Sequence, residues 1–291
     1  MELTPHHFNP AGRLYEFLRY SKTKSRVPIS QVWAGYLQVE EYSVAFFAGL
    51  GEVLSLPQQS RDGFRALPSS AKQYIDEGDV TAALNKASGS LGSGSKMLHG
   101  SIDEFKRLYG DDVVAELKNL SNFLRGEFQG RAGDAAAIEV AAGTLQKVRD
   151  LAEDLIAELE EDDELSADLR LLLLNQALAF RRAASLVRAG GFEAVGVQRD
   201  RAVGLIVAHP TVAAELRRKP KLRDRLLALI TTAGVVASAF VGVIAAAEEV
   251  EHLVKAFLSG SEDLKSITDA LPTIGEGDAP PATEISEAPT P

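Results

Sequence analysis

From Leu226 to Ala247 the chain runs for 22 residues without a charge. As a helix rising ~1.5 Å per residue this run is roughly 33 Å long, enough to cross a hydrocarbon layer of ~30 Å. Arg217, Arg218, Lys219, Lys221, Arg223 and Arg225 precede it, and Glu248, Glu249 and Glu251 follow. No other stretch restricts the fold so strongly. Either the chain threads a membrane here, or one helix is buried on all sides of a soluble bundle. Ten of the residues are Leu, Ile, Val or Phe, which favours insertion by about 3–6 kcal/mol. The rest are Ala, Gly, Ser and Thr, so insertion is favourable but marginal.

Within the run, Gly234, Ser238, Gly242 and Ala246 recur at every fourth position. Small residues at that spacing form a smooth stripe on which another helix packs closely, in lipid or in a bundle. If the run spans, the positive-inside rule keeps the preceding basic cluster in the cytoplasm. Its cations then touch anionic headgroups at ~1 kcal/mol each; otherwise they are a solvated helix end beside a proline.

The 291 residues suffice for one large or two modest domains. A net charge of −10 argues against nucleic acid as a partner, since that needs a basic face. There is no cysteine, which excludes disulfides, thiolate catalysis and cysteine-bound zinc. The segment Met1 to Pro10 has no apolar core of a secretory signal, so the body is expected in the cytoplasm, free or held at the inner membrane.

Apolar spacing of three and four residues recurs along the chain and predicts an all-α protein, a multi-helix bundle ending in one very apolar helix. The divisions expected are an N-terminal segment with a short helix (1–29), a helical body (30–220), the apolar helix (221–259) and a largely disordered acidic tail (260–291). The glycines of 126–133 mark an internal linker. Ser30 is read as the cap of a long helix that carries Trp33, Tyr36 and Phe46 and ends or kinks at Pro57. Ser88 to Ser95, rich in Gly and Ser, reads as a loop. Ser101-Ile-Asp-Glu104 is a capping box, Asp134 to Glu161 a long amphipathic helix, and Ser166 the cap of a leucine-rich one ended by Gly190-Gly191.

No catalytic, cofactor or metal motif stands out. The acidic run Glu158 to Glu164 lacks the spacing of a calcium loop. The five histidines provide no pair at i, i+4. Gly92-Ser-Gly94-Ser-Lys96 lacks Walker A spacing. The segments Tyr42 to Leu54, Leu165 to Leu174 and Ala184 to Ala194 together resemble a group of uncharacterised bacterial and phage helical proteins, in which a leucine-rich helix is followed by a basic helix, a glycine and a further helix. The resemblance implies an α-helical fold and a bacterial or phage origin, and no activity.

Three functions are compatible with these features. The first is a membrane-associated effector or regulator, as in toxicity or phage defence, whose cytosolic body senses a partner and whose marginal helix is stored or released. The second is a soluble protein-binding module of the immunity or antitoxin kind, with the run as core and the negative surface facing a basic partner. The third, an enzyme, lacks any paired carboxylate motif. The partner expected is a protein or a second copy, with a membrane in the first reading.

Overall fold

A computed structural model describes residues 3–128 and 135–241, with side chains described over 3–125 and 138–236. Among the described residues the chain is all-helical and contains no strand. After a 3-10 turn at Pro5–Phe8, α1 (Pro10–Lys22), α2 (Ile29–Leu37), α3 (Val44–Arg65), α4 (Ser69–Lys72), α5 (Glu77–Lys96), α6 (Ile102–Arg107) and α7 (Asp111–Phe128) build a first lobe. A second lobe consists of α8 (Ala135–Glu161), α9 (Ala167–Ser185), α10 (Val187–Gly190), α11 (Glu193–Ala208), α12 (Pro210–Arg218) and α13 (Pro220–Val241).

Each lobe has its own apolar core. In the first, Trp33 is fully buried and meets Phe17 and Phe105 edge-to-face, with ring centroids 5.3 and 5.2 Å away. In the second, Leu155 of α8, Phe180 of α9, Val195 of α11 and Leu229 of α13 meet at the centre. The two cores exchange anchors. Leu3 and Phe8, from the start of the chain, pack in the second core, where Phe8 stacks on Phe192 at 5.1 Å. Ala189 of α10 in turn packs in the first.

The described part of the uncharged run belongs to α13. Leu226, Leu229, Ile230, Ala233 and Val236 are buried, and α13 lies against α8 and α11. Their spacing is that of one helical face. Ala228 and Val235, on the other side, are exposed, so the helix is amphipathic and not enclosed all round. Among the described residues no helix is long and apolar enough to cross a membrane; 242–247 lie outside them, as does the expected tail. Ala233→Arg places an unpaired charge in the core and is expected to cost about 3–5 kcal/mol. Ala228→Arg on the exposed side should change stability by no more than ~0.5 kcal/mol. Thermal unfolding of the two variants checks this, and equal melting points would contradict the packing.

Several expected boundaries are corrected. The long helix from Ser30 is two helices: Pro28 occupies the cap position of α2, Gln38 ends it in the left-handed region (φ 58°), and Ser43 starts α3 by accepting a 3.1 Å hydrogen bond from the Phe46 amide. Pro57 lies inside α3. A proline there removes one intrahelical bond at a cost of ~3 kcal/mol, but Val53, Leu56, Pro57 and Phe64 are all buried, and that burial outweighs it. The Gly/Ser stretch 88–95 is the second half of α5, not a loop. A small residue is required at Gly94, where α5 passes beneath the aromatic cluster: a Cβ there would lie 2.7 Å from Phe105 and 2.9 Å from Trp33, whereas one on Gly89 or Gly92 would meet open space. The leucine-rich helix ends at Ser185, and α10 intervenes before Gly191. Ser101 caps α6, accepting from the Asp103 amide at 3.2 Å rather than closing a capping box with Glu104, while α7 opens at Asp111 and continues into the expected linker as far as Phe128.

Candidate interlobe site

The two lobes meet along a polar seam built from the start of the chain. The Thr4 amide donates to His7 Nδ1 at 2.9 Å, and the Thr4 hydroxyl donates to Glu16 Oε1 at 2.9 Å. Arg19 completes the Glu16 carboxylate through two hydrogen bonds to Oε2, at 2.9 and 2.7 Å. Asn9 caps α1 by accepting from the Gly12 amide at 2.8 Å and donates to the Ser121 carbonyl of α7. Because Nδ1 of His7 accepts, the ring proton of the neutral form sits on Nε2, and this buried nitrogen has no partner among the described residues. Burial pushes the imidazole down to about 4, with Glu16 opposing and Arg188 and Arg13 adding to the fall.

Arg13 crosses the seam. Its guanidinium is buried, donating to Glu193 of α11 at 3.1 Å and to Gln59 of α3 at 3.2 Å. Arg188 returns the exchange, donating to the Tyr36 carbonyl at 3.2 Å with its guanidinium 5.9 Å from the Tyr36 ring. Burial pushes the Tyr36 phenol well above its ordinary range. Also in the seam, His6 Nδ1 lies 2.9 Å from the hydroxyl of Ser121, a buried serine; the crossing contacts of Arg13 and Arg188 lock the two lobes together.

Beside the lock the lobes leave a solvent-open groove. It consists of two hollows of about 410 and 360 Å³ that share Arg182 and Leu186. One wall is a single face of α3, through Val44, Ala45, Ala48 and Glu52; the other is the C-terminal half of α9, continued by α11. Arg181 lines one hollow and Arg201 the other, with Glu153 and Glu52 as the carboxylates on the walls. Among the described residues Arg181, Arg182 and Arg201 form no ion pair. At the rim, Val44 is 75% exposed, and Phe47, one turn further along α3, is 51% exposed. Tyr42, with φ 58°, stacks on His99 at 5.3 Å and bonds to its Nδ1 at 2.9 Å. An open channel with an apolar rim and three free guanidinium groups suits an extended or helical segment bearing carboxylates. It is a poor enclosure for a small molecule, which needs most of its surface covered.

Sequence reasoning missed these arginines. A signal was present: neither Arg181, Arg182 nor Arg201 has an Asp or Glu three or four residues away on its own helix. A solvated helix face normally supplies such partners.

The residues singled out from sequence lie elsewhere. The basic cluster and the acidic run face each other. Lys219 donates to Asp162 at 3.1 Å and to Glu164 at 2.5 Å, and Arg225 lies 2.9 Å from Glu158. Arg223 is occupied by Asp224, whereas Lys221 is exposed; Arg217 and Arg218 sit at the end of α12. Desolvation raises the Asp162 carboxyl, but hydrogen bonds from Lys219 and from the backbone outweigh it and hold it below the usual range. Hydrogen bonds from Glu164 and Asp162 hold the Lys219 ammonium above its own. These contacts strap the start of α13 to the end of α8. Gly234 is buried on α13. The side chain of Ser238, and Gly242 and Ala246, are outside the described residues, so the stripe is represented by its first member. No group of His, Asp or Glu that could hold a metal occurs among the described residues.

No family model, no curated protein and no solved structure matches this chain.

Proposed function

We propose that this protein is a helical protein-binding module that takes an acidic segment of a partner, carrying apolar side chains, into the groove between its lobes. The observation that carries the reading is the set of three unpaired arginines on the walls of an open groove with an apolar rim. A guanidinium left without a carboxylate on its own helix is a ready partner for one on another chain. The net charge of −10 had pointed to a basic partner. The groove reverses that sign locally, and within the acidic run Glu158, Asp162, Asp163 and Glu164 are already paired with Arg225, Lys219 and Arg170.

The test uses the full chain and a fluorescein-labelled twelve-residue peptide of repeated Glu-Ala-Ile-Glu, followed by anisotropy. Binding in the micromolar range is expected, at least ten-fold weaker for Arg182→Glu, weaker again at 1 M salt, and absent for the lysine analogue of the peptide. Equal binding of both peptides would overturn the reading.

The membrane-associated effector keeps one support, the continuation of the uncharged run past Val241. Flotation of the full chain with vesicles rich in anionic lipid separates the two. A binding module with α13 as core stays in the soluble fraction, while an effector with an inserting helix floats and resists a carbonate wash.

A further inference from the structure

The groove has a candidate occupant within the same chain. From Ser266 to Pro291 there are five carboxylates and no Lys, Arg or His. The last of them flank an apolar residue, in Glu284-Ile285-Ser286-Glu287. That is the chemistry the groove takes: carboxylates for Arg181, Arg182 and Arg201, and one branched apolar side chain for the floor at Leu186 and the rim at Val44. Distance is no obstacle. More than thirty residues separate Val241 from Glu276, and at ~3.3 Å per residue they reach roughly 100 Å, several times the breadth of a lobe. The second lobe also places its last described helix, α13, directly against α11, which forms one wall of the groove.

We propose that residues 276–287 dock in the interlobe groove of their own chain and hold it closed to acidic partners. This inference rests on the groove reading above and adds its regulation. A tethered segment competes at an effective concentration set by its tether, which for a flexible link is of order millimolar. A partner must therefore either bind more tightly than the tail or arrive when the tail is displaced.

The absence of cysteine makes the test direct. In the full chain, Ser185→Cys, on the groove wall, is paired with Ser286→Cys. A control pairs Ser286→Cys with Ser88→Cys, which is exposed on α5 of the first lobe, outside the groove. Under mild oxidation the groove pair should close an intramolecular disulfide at least ten-fold faster than the control. Arg181→Glu with Arg182→Glu should bring it to the control rate, as should 1 M salt. Equal rates for the two pairs overturn the proposal, as does an insensitivity to charge reversal. A disulfide-linked dimer whose yield rises with concentration also overturns it, since the tail then docks on a second copy.

The acidic peptide separates this failure from that of the groove. With Glu276→Gln, Asp278→Asn, Glu284→Gln and Glu287→Gln combined, peptide affinity should rise at least five-fold. If the peptide binds wild type and this variant equally, the tail proposal falls and the groove reading stands. If it binds neither, both fall.

Discussion

Gly191→Ala is expected to destabilise the protein by about 2–4 kcal/mol and to loosen the junction between its lobes. Gly191 has φ +74° and an extended ψ, a combination that is essentially confined to glycine. A methyl group there would lie 2.0 Å from Arg13 Nη1 and 2.1 Å from Glu193 Oε2. Two costs therefore add: ~1–3 kcal/mol of backbone strain and on the order of 1 kcal/mol to displace the ends of the two flexible side chains from their contact. Urea unfolding checks the magnitude. The loss should be partly relieved in an Arg13→Met background, because the clash with the guanidinium disappears and Glu193, no longer held by it, can move aside, giving a coupling of at least ~0.5 kcal/mol. A change under ~0.5 kcal/mol in the wild-type background would mean that Arg13 and Gly191 do not form a lock.

Acidification should open the same junction from the other side, through His7. Its folded-state value is about 4, against 6.5 for a free imidazole, because burial disfavours the charged ring. Between these values the unfolded chain binds more protons than the folded one, so stability rises with pH across the window. The contribution is fully present above pH ~6.5, is lost progressively as pH falls, and levels off below pH ~4. The fall from 6.5 to about 4 corresponds to on the order of 3 kcal/mol. The groups around the ring divide: Glu16 favours its protonation, Arg188 and Arg13 oppose it, and Thr4 holds Nδ1 as an acceptor. Carboxylates titrate in the lower part of the window, so the difference between wild type and His7→Gln is the informative quantity. Urea midpoints measured from pH 4 to 7 should fall more steeply for wild type. Parallel curves would remove His7 from the account.

The all-α fold was legible because it depends on period alone. Leu145, Val148, Ala152, Leu155 and Leu159 of α8 are spaced as one face, and all are buried. Where the sequence misled, tertiary contact overrode local preference. Residues 88–95 have the composition of a linker, yet they continue α5, with Leu91 buried in the first core and Gly94 held without a side chain by the rings of Trp33 and Phe105. Nothing in the local pattern separates α2 from α3, because the break at 38–43 depends on two non-glycine residues, Gln38 and Tyr42, held at positive φ. The groove was harder still. Its walls come from α3 and, more than a hundred residues later, from α9 and α11, and only the lack of intrahelical partners for its arginines was written locally. The pairing of the basic cluster with the acidic run was visible as composition but not as a contact, since 55 residues separate Glu164 from Lys219.

The exchange of Phe8 and Ala189 between the cores bears on how the chain is made. Phe8 is synthesised 184 residues before Phe192, the ring it stacks on. At about 5–20 residues per second, Phe8 waits roughly ten to forty seconds for its partner to exist. The first lobe has all its long helices well before then and can form around Trp33, but without Ala189 in its core and with Arg13 lacking Glu193. It therefore sits on the ribosome as a nearly finished half with an unclosed edge. The closing step is not the completion of either lobe but the late mutual insertion that turns two halves into one cooperative unit.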